Sequence, residues 1–424
     1  MKAVVLAAGE GVRLSPITAT RSKHLIRIGG KPLLEYSLQT LKSVGISEVT
    51  IVVHYMKDTI KKQFGDGKNV GLKLDYVEQE AVLGTGNAVS IVEPYMKDDF
   101  LLVNGDILFT PEAVKAVLNL HQEQKPAASL AAVPVERPEN YGVIQLDENR
   151  HVKHIIEKPN RGKAPTNLAN AGIYVFSTEI FDKIRRTSAS ARGEVELPDA
   201  LSLCISEKKP VLAAEIPSAD WLEYGKPWDL LEAARWILSR AEHKVFGFVE
   251  DGAHLVGPVT VGETARIRSG AYIEGPSFVD AESDVGPNCY VRPFTSIGAG
   301  VRIGNACEVK NSIVMDGAHI GHLSYVGDSV VGEKCNFGAG TIIANYRFDA
   351  GPVKMMVRDR VVDTGRKKLG AIFGDNVKTG INSLFMPGVK IGNDSWIGPN
   401  FVVERDVPPR SVMLLKQTCE KRTM

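Results

Sequence analysis

The sequence predicts two fold classes in series: an α/β half with a mostly parallel sheet, then a parallel β-helix. Three observations predict it. Nine aliphatic residues (Val261, Ile267, Ile273, Val279, Val285, Val291, Ile297, Ile303 and Val309) recur at six-residue spacing. Neither an α-helix nor a flat sheet has that period, whereas a coil built from short stacked strands does. Before about residue 245, short continuous apolar runs alternate with helical patterns. That is how parallel strands covered on both faces read. The first of these runs ends in a glycine loop, Ala8-Gly9-Glu10-Gly11, whose backbone N–H groups can face phosphate oxygens.

The elements follow in order. Ala3 to Ala7 is a short buried strand. Lys31 to Val44 is an amphipathic helix with Leu34, Leu38 and Leu41 on one stripe, Pro32 in its first turn and Gly45 as its stop. Val49 to Val53 and Phe100 to Val103 are further buried strands, and Asp220 to about Lys244 is a closing loop and helix. The repeat runs from about His254 to Val403, with later six-spaced positions at Ile391, Ile397 and Val403. It breaks between Tyr346 and Gly370, a polar, basic stretch too long for a corner and expected to form an excursion loop or hairpin. The expected division is 1–235, a linker helix over 236–252, the coil over 253–411 and a basic tail over 412–424.

Composition limits the function classes. A chain of 424 residues with 44% hydrophobic and 24% charged residues can build large cores and is not expected to be disordered. A net charge of +1 argues against a general nucleic-acid binder. The five cysteines form no CxxC pair, and the three in the repeat read as small buried hydrophobes. No run approaches the eighteen or so apolar residues of a membrane span. The start, MKAVVLAAGEGVRL, is too short and glycine-rich for a signal peptide. The expectation is a cytoplasmic, reducing environment, with neither membrane nor nucleic acid as partner.

The glycine loop has a competing reading as a dinucleotide fingerprint. That reading fails twice, because the third glycine is missing and the second strand ends in His54-Tyr55, without an acid for a ribose. The wider stretch LAAGEGVRLSPITATRSKHLIRIGGKPLL resembles the signature of the sugar-1-phosphate nucleotidylyltransferases, and the resemblance continues in pieces over the first 235 residues. It implies a Rossmann-like domain in which Ala8, Gly9 and Gly11 contact the nucleotide. Arg13 would grip the β- and γ-phosphates, and Lys23 the α-phosphate or the sugar phosphate. Asp106, in Asn104-Gly105-Asp106, matches the family's Mg²⁺ ligand, and Glu223 would be the second carboxylate. Relatives carry Asp or Asn at the Glu223 position. Gln79, Gly84 and Thr85 match the base-reading segment: a Gln amide offers a donor and an acceptor to uracil or thymine, and Gly84 lets the backbone approach the ring. Gly142, Glu157, Lys158 and Asn170 match three sugar-contact motifs in order. In-line attack on the α-phosphorus requires no Ser or Cys nucleophile.

In the second half, Gly321-His322-Leu323-Ser324-Tyr325-Val326-Gly327-Asp328, the Asn336 to Thr341 stretch and Asn345-Tyr346 resemble the acetyltransferase half of the bifunctional N-acetylglucosamine-1-phosphate uridylyltransferases/glucosamine-1-phosphate N-acetyltransferases. That family's hexapeptide coil is left-handed, takes acetyl-CoA and forms a homotrimer with acetyl sites between subunits. His322 would be the base that deprotonates the amine, and Glu308 would orient the imidazole or polarise the amine. Arg292 and Lys310 would hold the sugar phosphate. Tyr325 and Asn336 would bond the sugar, and Asn345 would position the amine or thioester. From the insertion, which resembles the archaeal branch, Lys354 would reach the substrate phosphate. Tyr346, Lys367 and Lys368 would meet CoA or, for the lysines, remain a solvated basic turn. The reading is a bifunctional enzyme that acetylates glucosamine-1-phosphate and joins the product to UMP from UTP. Two rivals stand beside it: a glucose-1-phosphate thymidylyl- or uridylyltransferase whose coil only assembles the protein, and a non-catalytic subunit that binds sugar nucleotides.

Overall fold

The computed structural model describes residues 1–190 and 193–423. They divide into two compact units: Met1–Glu10 with Pro32–Glu223, and Gly11–Lys31 with Tyr224–Met424. The segment from the last glycine of the loop, Gly11–Lys31, is thus grouped with the coil.

The first unit is built on one sheet. Its order is Val152–Glu157, Gly142–Leu146, Leu168–Phe176, Phe100–Asn104, Ala3–Ala7, Glu48–Val53, Lys73–Glu78. The strands from Phe100–Asn104 to Lys73–Glu78 are parallel, as their unbroken apolar runs predict. From Leu168–Phe176 outward the pairing turns antiparallel, which the sequence did not announce. The helix expected over 31–44 is Leu33–Ser43, because Lys31–Pro32 forms a short strand instead. Leu34, Leu38 and Leu41 are fully buried on its inner stripe.

The second unit is dominated by the coil. Three sheets of parallel strands form its sides, and each strand pairs with its equivalent one coil later. All nine six-spaced aliphatics point inward and are fully buried. Each such burial is worth about 1.5–3 kcal/mol before the entropy of ordering is counted. The six-residue beat is not kept to the end: Ile297 pairs with Val314 and Val314 with Val331, so this side takes one residue fewer per coil. The centre then becomes aromatic, with Phe337, Phe373 and Phe385 packed at centroid distances of 4.9 Å. The break contains the expected hairpin, Lys354–Val357 paired with Arg360–Asp363. The helix placed at 236–252 lies earlier, at Asp229–Leu238, and Lys244–Val245 and Phe248–Val249 already belong to the first coil. Cys289, Cys307 and Cys335 are buried in the coil, and burial pushes the Cys289 and Cys335 thiols up to about 12. They act as hydrophobes.

Two candidate active sites

In the first unit, the turn after Phe100–Asn104 carries Asp106. The strand that follows, Ile107–Phe109, pairs antiparallel with Trp221–Glu223, and Glu223 stands opposite Ile107. Glu223 is therefore in register with the residue that follows Asp106, although the two carboxylates are more than a hundred positions apart in sequence. An oxygen-only pair suits a hard cation such as Mg²⁺, which completes its shell with water and phosphate. Among the described residues no group of three or more His, Cys, Asp or Glu is arranged to hold a metal.

The sugar motifs converge by register. Gly142 stands opposite Glu157, and a Cβ on Gly142 would lie 2.9 Å from Glu157 Oε2. Asn170 Cβ is 3.8 Å from the same point, and Lys158 Nζ lies 2.8 Å from Glu157 Oε1. Trp221 braces the strand Leu168–Phe176 by donating from Nε1 to Ala171 O at 2.7 Å.

The base-reading segment is arranged differently from the expectation. Gln79 is buried, and its amide nitrogen is already engaged, donating to Asn87 Oδ1 at 2.7 Å and to Gly84 O at 3.4 Å. Gly84, at φ +100°, is required by its own chain: a Cβ there would sit 2.4 Å from Val195 O. The 195–197 segment clamps the loop, with Gly86 N–H donating to Val195 O, Val195 N–H to Leu83 O, and Leu197 N–H to Thr85 Oγ1. Val195 carried no sequence signal.

The segment Gly11–Lys31 folds back on itself. Thr18 Oγ1 donates to Gly11 O at 2.8 Å, and a Cβ on Gly11 would lie 3.2 Å from Lys23 Cβ. Arg13 is exposed on the turn Val12–Leu14, and its charge acts on the carboxylate of Asp229. Burial nevertheless pushes Asp229 up to about 6, against the pull of Lys226, the N–H groups of Gly225 and Lys226, and Arg13.

The coil carries a cavity of about 550 Å³ between the helix Asp229–Leu238 and one corner. Six cations line it: Arg235, Arg292, Lys310, Arg366, Lys367 and Lys368. Asp328, buried at its wall, gathers three donors: Lys310 Nζ at 3.3 Å, Asn311 Nδ2 at 2.7 Å and Asn345 Nδ2 at 2.5 Å. Asn345 also donates to the Tyr325 hydroxyl at 3.1 Å. Burial, then the charges of Asp328 and Glu308, push the Tyr325 phenol up. Arg235 lies over the Phe294 ring at 3.9 Å, and Arg366 is paired with Glu232.

Several assigned residues fall elsewhere. Lys367 and Lys368 line the same cavity as Arg292 and Lys310. Lys354 stands exposed on the hairpin and is not in the lining. Glu308 accepts from Arg292 Nη1 at 2.9 Å, so its carboxylate is held by that guanidinium. Asn336 pairs with His319 on the coil side that also carries His322, whereas Arg292, Glu308, Lys310 and Tyr325 share the next side. Tyr346 is exposed and bridges Lys368 through the backbone. His322 is exposed at the corner between these two sides. The short strand Tyr325–Gly327, about 7 Å at some 3.3 Å per residue, separates His322 from the corner of Asp328. Arg235, Asn311 and Asp328 were missed. Asp328 closes the quoted motif at a corner with φ +51°, and that position was the only available hint.

A parallel sheet ending in a phosphate-type loop, followed by a hexapeptide coil with its own cationic cavity, defines a two-centre transferase. The Nucleotidyl transferase family model matches residues 2–240, and a model for the GMPPB C-terminal domain matches residues 273–384. The Bifunctional protein GlmU of Methanocaldococcus jannaschii is 42% identical over 407 residues, 96% of each chain. The bifunctional sugar-1-phosphate nucleotidylyltransferase/acetyltransferase of Sulfurisphaera tokodaii is 42% identical over 411 residues, 96% of this chain and 98% of its own. The low-salt glycan biosynthesis nucleotidyltransferase Agl11 of Haloferax volcanii is 36% identical across 80% of this chain and 94% of its own. The chain belongs to the family of bifunctional sugar-1-phosphate nucleotidylyltransferases/acetyltransferases, and its coil is a left-handed β-helix.

Proposed function

We propose that the coil acetylates glucosamine-1-phosphate from acetyl-CoA, and that the first half transfers UMP from UTP to N-acetylglucosamine-1-phosphate with Mg²⁺, releasing pyrophosphate. The observation that carries this reading is the cationic cavity around Asp328 and Asn345. Six cations at a pocket mouth suit a phosphate dianion, and a coil serving only assembly has no use for them. With the phosphate there, a sugar ring lies along Tyr325 and its amine turns toward the corner of His322. The imidazole takes the amine proton as nitrogen attacks the thioester carbonyl, and CoA leaves as the thiol.

In the first half, Asp106 and Glu223 would hold Mg²⁺, which would supply charge screening for the triphosphate. Arg13 and Lys23 neutralise the phosphates. Gly142, Glu157 and Asn170 orient the sugar so that its phosphate oxygen attacks in line.

A cytoplasmic homotrimer fits this reading. Among the described residues no helix is long and apolar enough to cross a membrane. In register with Tyr325, the same coil side exposes Tyr272, Ile342, Leu384 and Val402, a largely apolar column interrupted by Glu308 and suited to burial against a second copy. The test pairs each sugar-1-phosphate with UTP and dTTP, with and without acetyl-CoA, following thiol and pyrophosphate release. Acetyl-CoA-dependent thiol release with glucosamine-1-phosphate is expected. Its absence with every amino-sugar phosphate would return the coil to an assembly role.

A further inference from the structure

The segment Gly11–Lys31 is fastened to the coil through two guanidinium groups: Arg21 closely, and Arg27 more loosely, at 3.8 Å from Asp280 Oδ2 and 4.0 Å from Asp316 Oδ2. Arg21 pairs through Nη2 with Asp375 Oδ2, and its Nη1 lies 3.1 Å from Glu333 Oε1 and 2.8 Å from Met315 Sδ. Thr20 Oγ1 donates to the same Asp375 oxygen at 2.6 Å. The other carboxylate oxygen of Asp375 accepts the Glu333 N–H at 2.8 Å, so the acceptor is fixed by the coil backbone. The Arg21 side chain is 12% exposed and that of Asp375 8%. Farther along, Gly29 N–H donates to Ser296 Oγ at 2.9 Å.

Burying such a pair costs desolvation that its attraction barely repays, so it is a poor source of stability and a better device for fixing position. The coil strands at this level are already paired through Val331 and Phe373 and do not depend on Arg21. What Arg21 does fix is its own loop. One residue on, Ser22 Oγ caps the turn Lys23–Leu25 by accepting the His24 N–H. Lys23 in turn packs beside Gly11, two residues before Arg13.

We propose that Asp375, a residue of the acetyltransferase coil, is a positioning residue for nucleotidyl transfer, acting through Arg21 on the turn that presents Lys23. This rests on the reading of Lys23 as a phosphate-holding group. A preset loop saves the entropy of ordering it around the triphosphate. Releasing it therefore weakens triphosphate capture while leaving the coil's own chemistry in place.

The test uses the full chain with Arg21→Ala, Asp375→Ala, the double variant, Asp375→Glu, and Lys23→Ala as a control. Each single alanine variant is expected to lower kcat/KM for nucleotidyl transfer about tenfold, chiefly as a higher KM for the nucleoside triphosphate. Acetyl transfer should stay within about twofold, and the double variant should be no worse than the worse single one. Asp375→Glu should restore part of the loss. Arg21→Ala keeps every coil side chain, so it remains informative if Asp375→Ala fails to fold. Parallel loss of both activities, unchanged nucleotidyl transfer, or multiplicative losses in the double variant would overturn the proposal. If Lys23→Ala is harmless, the phosphate-holding reading falls and the proposal with it. If Lys23→Ala is inactive while Arg21→Ala and Asp375→Ala are unchanged, only the tether falls.

Discussion

Asn345 donates its side-chain amide to Asp328 Oδ2 at 2.5 Å, joining residues from two successive coils at the wall of the cationic cavity. Asp328 is the acceptor on which Lys310, Asn311 and Asn345 all converge. Asp328→Asn cannot serve all three, and its own N–H groups face donors. Acetyl transfer is expected to fall at least about 100-fold through misplaced Lys310 and Asn345, with a lower thermal midpoint from the half-buried cation left unpaired. Nucleotidyl transfer at a temperature where the variant is folded should be unchanged. Assaying both activities on one preparation checks this.

The parts of this molecule that repeat were the parts legible in advance. A six-residue beat forces every sixth side chain inward, so Val261 to Val309 could be placed without a structure. The hairpin at Lys354–Asp363 was readable from the length of the break. What stayed hidden depends on register between distant strands. Nothing local marks Glu223 as the partner of Ile107, Val195 as the backing of Gly84, or Arg235 as a wall of the cavity. Resemblance drew Lys367 and Lys368 toward CoA, because it supplies motif order but not which corner a loop returns to; the return of the insertion places them beside Arg292.

The two chemistries should separate. Asp106 lies in the first unit and His322 in the coil. Asp106→Ala is expected to abolish Mg²⁺-dependent pyrophosphate release and spare acetylation, and His322→Ala to do the reverse, with a loss of about 10²–10⁴ for a missing general base. Loss of both activities from either change in a folded protein would contradict separate centres.

Gly84 offers a test of the nucleotide loop that touches no charged group. An Ala there must adopt φ +100° and place its Cβ 2.4 Å from Val195 O. Relief requires the 83–86 loop or the 195–197 segment to move, at a cost on the order of 1–3 kcal/mol. Gln79, whose amide donates to Gly84 O and Asn87, moves with them. Gly84→Ala should raise the KM for the nucleoside triphosphate severalfold and leave the KM for acetyl-CoA unaltered. A titration of each substrate in the two half-reactions decides it.

Asp229 makes stability depend on acidity in an unusual direction. Burial raises its carboxyl from 3.8 to about 6, overcoming the N–H groups of Gly225 and Lys226 and the charges of Lys226 and Arg13. Between those two values the native state holds more protons than the unfolded chain, so this group's contribution falls as pH rises from about 4 to about 6 and stays low above that. Asp229→Asn keeps an oxygen for the two N–H donors and removes the charge. It should stabilise the fold at pH 7 by an amount on the order of 1–3 kcal/mol, seen as a higher thermal midpoint, and leave the midpoint nearly unchanged at pH 4. Thermal melts of both proteins across pH 4–8 should therefore diverge upward in pH. Curves that stay parallel would mean that the Asp229 carboxylate is ionised at no cost and that Arg13 fully compensates it.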